Sequence, residues 1–279
     1  MKKLSLGEVR TFDIEIVAIG SELCYGKVAD TNSFWLADQV TRVGGIVSRI
    51  TCVRDDEVQI VMVLEESLKR KPRFLLVTGG LGPTEDDKTI SAISRLANLG
   101  MITDEKTLEM ASERKNIPRE KLPPHFVRMA RTLSGAKTFA NPLGISPASV
   151  MKIGETTLVV MPGPPKEVQA IFETHISDLI EEQTSHKSCS HRVVVDMVES
   201  EVTPIVEEIE KGFGNVYLKP LVSEYVKGSG LPIEILAFDA NEEACDRLVR
   251  DVVQSLEWAI KAKGRRIVTS PCKRTTMPE

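Results

Sequence analysis

The chain has 279 residues, 42% apolar and 27% charged, enough for one large or two ordinary domains and typical of a globular protein, not a disordered or collagen-like one. Its 36 Lys and Arg against 40 Asp and Glu leave a net charge of −4, and only 5% of its residues are aromatic; both facts argue against a nucleic-acid binder working by bulk charge or by stacking. Five widely spaced cysteines without a CxxC pair and four histidines without zinc-ligand spacing point to a reducing cytoplasm and away from a histidine-based metal site.

The basic start, MKKLSLGEVR, precedes an apolar run that Glu15 interrupts and that is too short for a signal-peptide core. No stretch reaches the ~20 apolar residues that span a bilayer. Residues 12–19 read as a buried strand ending at Gly20. A helix follows from Asp30 to Val43, with Leu36, Val40 and Val43 on one face and Gly44-Gly45 as its stop. Residues 46–53 form a β-branched strand, Asp56 opens a second helix with Ile60, Leu64 and Leu68 aligned, and 73–78 is a third apolar strand. This alternation predicts a three-layer α/β fold around a mostly parallel sheet.

A further helix is expected from Lys88 to Leu99, then a helical stretch over 103–133 broken by Pro118 and Pro123-Pro124. Residues 148–153 and 157–162 read as a hairpin, and PGPPKEV opens a helix reaching Glu182. The polar, aperiodic 184–190 is the expected linker between a domain over 1–183 and a smaller α+β domain over 191–263. That second part reads as a strand at 193–198, a helix at 202–211, strands at 216–218 and 233–238, and a long helix from Glu242 to Lys263. The segment 264–279 reads as a loose basic tail.

The segment Thr78-Gly79-Gly80-Leu81-Gly82-Pro83-Thr84-Glu85-Asp86-Asp87 joins a strand to a helix at the carboxyl edge of this sheet, where open α/β folds bind ligands. Glycines there let backbone amides approach an anion, although a tight turn with a helix-capping Asp explains the composition equally well. The spacing fits neither a Walker A loop nor GxGxxG. Two carboxylates, Asp86 and Asp87, beside a phosphate cradle would repel the ligand unless a cation lay between them, which implies Mg²⁺ or another divalent cation. Asp55 and Asp56, after the second strand, emerge on the same edge, with helix capping as their plainer role.

In order and spacing, GSELCYGKVADTN (20–32), VRDD (53–56), TGGLGPTEDDKT (78–89), NPLG (141–144) and MPGPPKE (161–167) resemble the molybdopterin-binding-like domain of the CinA family (competence/damage-inducible protein), which groups with the MoaB and MogA molybdopterin adenylyltransferases. The resemblance covers roughly 12–182; element order alone makes 191–263 similar to that family's KH-type second domain. It implies a pocket for an adenylyl diphosphate, with Asp56 and Asp87 catalytic and Asp86 and Asp87 on the metal. Thr78, Gly79, Gly80, Gly82 and Thr84 would hold phosphate, and Glu22, Asn32, Asn141, Pro162 and Gly163 would complete the pocket. The implied activity is metal-dependent hydrolysis of ADP-ribose or a related nucleotide-sugar diphosphate to AMP and a sugar phosphate, with Mg²⁺ or Co²⁺ and with K⁺. Adenylyl transfer to molybdopterin and a non-catalytic nucleotide-binding module are the alternatives. The resemblance also implies a homodimer or trimer, and nothing in the chain resembles the nicotinamide-mononucleotide deamidase domain of longer relatives. Ser134 and Ser146-Pro147-Ala148 depart from the family pattern on the substrate side.

Overall fold

A computed structural model describes residues 13–269 apart from 185 and 227. Two compact units are present: the described residues before Arg42 together with Gly45–Gln183, and Arg42–Gly44 together with those from Thr184 onward.

In the first unit a six-stranded sheet has the order β2-β1-β3-β8-β7-β6, built from β1 (Asp13–Ile19), β2 (Ile46–Val53), β3 (Phe74–Thr78), β6 (Lys137–Phe139), β7 (Ala148–Ile153) and β8 (Thr156–Met161). The four strands β2, β1, β3 and β8 run parallel, while β7 lies antiparallel to both β8 and β6. The inner parallel strands β1, β3 and β8 are nearly continuous apolar runs because both faces are covered, whereas the edge strand β2 is largely exposed. Val17, Ile19, Leu75, Val77, Leu158 and Val160 pack with Ile60 and Leu64 of α3 (Glu57–Arg70) and Ile90 and Ile93 of α4 (Thr89–Ala97). The alternate residues Ile14, Ile16, Phe74, Leu76 and Val159 are just as buried. Near that second face Trp35 of α2 (Thr31–Arg42) meets Phe172 edge to face, with centroids 5.6 Å apart.

Short helices carry the loops. α1 (Ser21–Cys24) follows β1 directly, and Pro164 and Pro165 start α7 (Pro165–Ile171), which passes through a π-helical turn into α8 (Ser177–Glu181) instead of running unbroken to Glu182. The stretch 103–133 is only partly helical. It holds α5 (Glu105–Lys115) and α6 (Pro124–Met129), and its ends pair with neighbours as a separate antiparallel ladder of β4 (Met101–Thr103) and β5 (Arg131–Leu133).

The second unit is a four-stranded antiparallel sheet in the order β10-β11-β9-β12, made of β9 (Lys187–Val195), β10 (Val216–Pro220), β11 (Leu231–Asp239) and β12 (Ile267–Thr269). Its apolar face packs against α9 (Glu199–Phe213) and α10 (Glu242–Ala262), whose Cys245, Val249, Val252, Leu256 and Ile260 recur with helical period. Two expectations are corrected here. Lys187–Ser190 is strand, not linker, since β9 pairs with β11 from Lys187 onward. The tail is structured at its start, since Ile267–Thr269 pairs with β9. The remainder of that tail, 270–279, and the basic start lie outside the described residues. Among the described residues no helix is long and apolar enough to cross a membrane.

Candidate functional site

From β1 the chain crosses to β2 on one side, then passes over to β3 on the other, so the connections diverge between the ends of β1 and β3. Ligands of open α/β sheets bind outside such a divergence. A cleft of about 800 Å³ opens there. Gly79 sits in the divergence itself: its amide donates to the Met161 carbonyl at 3.1 Å, its φ is +95°, and a Cβ would fall 2.0 Å from the Ile19 carbonyl oxygen. Only glycine fits.

The glycine loop is closed by Asp87. One carboxylate oxygen accepts the Gly82 amide at 2.6 Å, and the other accepts both the amide and the hydroxyl of Thr84 at 2.8 Å. From behind, the buried Ser146 hydroxyl donates to the Leu81 carbonyl at 2.6 Å, and Thr89 donates to the Gly79 carbonyl at 2.8 Å. Among the described residues, the amides of Gly80 and Leu81 have no protein acceptor. Both of these amides are left for an anion.

Two more loops complete the wall. Asn32 donates to the Gly163 carbonyl at 2.8 Å, joining the start of α2 to the turn before α7. Asp55 accepts the Ser21 amide at 2.7 Å while its own amide donates to the Ser21 hydroxyl at 3.2 Å, joining the start of α1 to the end of β2.

Of the residues singled out from sequence, Glu22, Asn32, Thr78, Gly79, Gly80, Gly82, Thr84, Asp86, Asp87 and Gly163 line the cleft. Asp56, Asn141 and Pro162 do not. The Asp56 side chain is the N-cap of α3, accepting the Gln59 amide at 3.0 Å, and its neighbour Asp55 faces the cleft instead. Fully buried Asn141 holds its own turn: Oδ1 accepts the Leu143 and Gly144 amides, and Nδ2 donates to the Ser146 carbonyl and to Glu167. Pro162 is buried behind Gly163. Tyr25 and Val28, which also line the wall, were not expected from the sequence. Tyr25 and Val28 gave a signal only in being large apolar residues in a polar loop, where they remain 62% and 56% exposed.

Residues 15–182 match the model of the family described as "Probable molybdopterin binding domain". The chain belongs to this family. A protein of Pyrobaculum arsenaticum is 32% identical over 259 residues, covering 91% of this chain and 97% of that protein. An Alkaliphilus metalliredigens protein with a competence-damage inducible name is 29% identical over 247 residues, 87% of this chain but 58% of its own length. The crystal structure of the protein CinA with unknown function from Thermoplasma acidophilum superposes with a TM-score of 0.56 at 26% identity, covering 60% of this chain and 98% of that one.

The cleft of this molybdopterin-binding domain is acidic. Glu22, Asp30, Asp55, Asp86 and Asp87 line it, and among the described residues no Lys or Arg does, although Lys88, Arg128 and Arg131 line the adjoining cavity that shares Gly80, Leu81 and Gly82. Asp30 and Asp55 are offset by helix starts, since Asp30 accepts the Ser33 amide at 3.0 Å near the beginning of α2 and Asp55 does the same for α1. Asp86 is exposed on the loop. Among the described residues, no three His, Cys, Asp or Glu side chains gather closely enough to hold a metal ion by themselves. Carboxylate oxygens are nonetheless the donors a hard divalent cation takes, and Mg²⁺ commonly uses one or two of them together with phosphate oxygens of its ligand. The residues of the loop fit such an ion.

Proposed function

We propose that the cleft binds an adenylyl diphosphate together with a divalent cation, and that the protein hydrolyses the diphosphate bond of ADP-ribose or a related nucleotide-sugar diphosphate to AMP and a sugar phosphate. The observation that carries this reading is the pairing of two acceptor-less loop amides, Gly80 and Leu81, with a wall of five carboxylates. Donors of that kind hold phosphate oxygens. The carboxylates of the wall favour a bridging cation between them and the phosphates.

The residues divide the work as follows. The Gly80 and Leu81 amides donate to non-bridging phosphate oxygens, and the Thr78 side chain borders the same floor. Asp87 keeps the loop in shape through its bonds to Gly82 and Thr84, and Asp86 with one edge of Asp87 would hold Mg²⁺ or Co²⁺. The cation would supply charge neutralisation at the phosphates. Tyr25 and Val28 offer apolar surface for the base, and Pro164 and Pro165 form a stiff opposite wall.

A second reading is favoured by the family match over 15–182, namely adenylyl transfer to molybdopterin. One assay separates the two. The protein is incubated with ADP-ribose, FAD, NADH, nicotinamide mononucleotide, or ATP plus molybdopterin, with Mg²⁺ or Co²⁺ and with K⁺, and products are resolved by chromatography. AMP release from ADP-ribose that requires the cation is the expected result. Adenylylated molybdopterin without AMP release from any dinucleotide would replace the first reading by the second, and tight binding without product would leave a nucleotide-binding module.

A further inference from the structure

The sulfur atoms of Cys24 and Cys52 lie 3.5 Å apart, and both residues are exposed. Nothing in their spacing of 28 positions suggests it. The fold brings them together because Cys24 ends α1 and Cys52 is the penultimate residue of β2, and the start of α1 is tied to the end of β2. Three bonds make that tie: the Gly20 amide to the Val53 carbonyl at 3.0 Å, the Ser21 amide to Asp55 at 2.7 Å, and the Asp55 amide to the Ser21 hydroxyl at 3.2 Å. Cys24 also sits within the wall of the cleft in sequence, since Ser21, Glu22, Leu23 and Tyr25 all line it. A disulfide needs the two sulfur atoms to close by roughly 1.5 Å from their present separation.

We propose that Cys24 and Cys52 are a reversible dithiol–disulfide pair, oxidised by a hydroperoxide, and that the disulfide pins the 21–28 segment of the cleft wall to β2. The Cys24 sulfur attacks one oxygen of the peroxide, the O–O bond breaks, and water leaves from hydrogen peroxide, giving a sulfenic acid on Cys24. The Cys52 sulfur then attacks the Cys24 sulfur. The S–O bond breaks, the departing hydroxide takes the Cys52 proton, and a second water is released. Two thiols lose two electrons in total and the peroxide gains them; a small dithiol reverses the reaction by exchange. The roles are not interchangeable. Partial burial first, then the hydrogen bond and charge of Cys24, push the Cys52 thiol up to about 12, so Cys52 stays protonated and the first attack falls to Cys24.

The test uses the whole chain and does not depend on which ligand the cleft takes. After treatment with hydrogen peroxide and blocking of free thiols, tryptic digestion should yield Thr11–Lys27 joined to Ile50–Arg54, lighter by two hydrogens than the sum of the separate peptides. Dithiothreitol should remove this species, and Cys24→Ser and Cys52→Ser should each abolish it while keeping the wild-type melting temperature. Native cleavage by trypsin after Lys27 should slow several-fold in the oxidised protein and remain unchanged in peroxide-treated Cys24→Ser. Separate sulfinic or sulfonic acids on the two cysteines without the joined peptide would overturn the pair. A joined peptide with unaltered cleavage after Lys27 would overturn the pinning.

Discussion

Asp87 and Gly82 form one mechanical unit: the carboxylate accepts the Gly82 amide at 2.6 Å, and a Cβ on Gly82 would fall 2.8 Å from both of its oxygens. A side chain at 82 would therefore push the carboxylate away from the amides it accepts. The other carboxylate oxygen holds Thr84 by two bonds, so the acid fixes the path of the loop from which the Gly80 and Leu81 amides point.

This arrangement separates the two adjacent acids. Asp87→Asn keeps the volume but replaces charge-assisted acceptors and turns one of them into a donor facing amides, which should cost about 1–3 kcal/mol of stability. It should also abolish cation-dependent nucleotide binding. Asp86→Asn, on the exposed side of the loop, should change stability by less than about 0.5 kcal/mol while weakening the same binding. Thermal unfolding and calorimetric titration of both variants check this. Equal losses of stability would refute the division of labour.

Gly79→Ala places a methyl group against a main-chain carbonyl that belongs to a central strand, at a φ of +95° that alanine avoids. Neither β1 nor β3 can yield, because both lie inside the sheet. The expected loss is about 3 kcal/mol or more, read as a lowered denaturant midpoint with an unchanged slope. Gly26→Ala, also at positive φ but with nothing within 4 Å of the new methyl, should cost about 1 kcal/mol. The contrast isolates the clash from the backbone strain.

Glu15, inside β1 and 3% exposed, is held by two bonds from the Arg70 guanidinium, at 2.6 and 2.7 Å, and Arg70 also donates to Ser67 at 3.0 Å. The hydrogen bond that Arg70 donates to Glu15 raises the Arg70 pKa. Arg70→Met would strand a buried carboxylate. Breaking such a pair costs ~3–5 kcal/mol when both partners are buried, and with the Arg70 side chain 36% exposed about 2 kcal/mol is expected here. Glu15→Leu combined with Arg70→Met should recover most of the loss. Urea melts of the two variants check the prediction, and a double variant no more stable than Arg70→Met would contradict it.

What the sequence revealed follows from where structure is set. β1 and β3 were legible because strands buried on both faces must be apolar throughout, the largely exposed β2 because it is rich in β-branched residues, and α2, α3 and α10 because a buried stripe imposes a helical period. The three-residue strands β4, β5, β6 and β12 have no period to read; partners distant in sequence make them strands. The start of β9 looked like a linker because KSCS (187–190) is polar, yet β9 is held by β11 along its length and by β12 at one end. α9 begins three residues before Val202, ahead of the point where Pro204 invites a start, because Pro204 lies within the helix at the cost of one amide bond. In the cleft, the glycine loop was visible in composition. Which of Asp55 and Asp56 faces inward was not, since adjacent residues differ there only by the direction in which the turn delivers them.

His191, in β9, is the group through which pH should reach the second unit. Burial depresses its pKa below the usual histidine value, outweighing the opposing pull of Glu234, the partner-strand acid. The folded state thus binds the proton less readily than the unfolded chain. Its contribution to stability is fully present above the unfolded pKa of roughly 6.5 and is lost as pH falls below that value towards the lower folded pKa. The melting transition of the wild-type protein should therefore drop between about pH 7 and pH 5, and His191→Gln, which cannot take up the proton, should flatten that part of the profile. The carboxylates common to both proteins cancel in the difference between the two curves, which leaves His191 as the group that difference reports. Parallel profiles for the wild type and the variant would show that His191 does not couple protonation to folding.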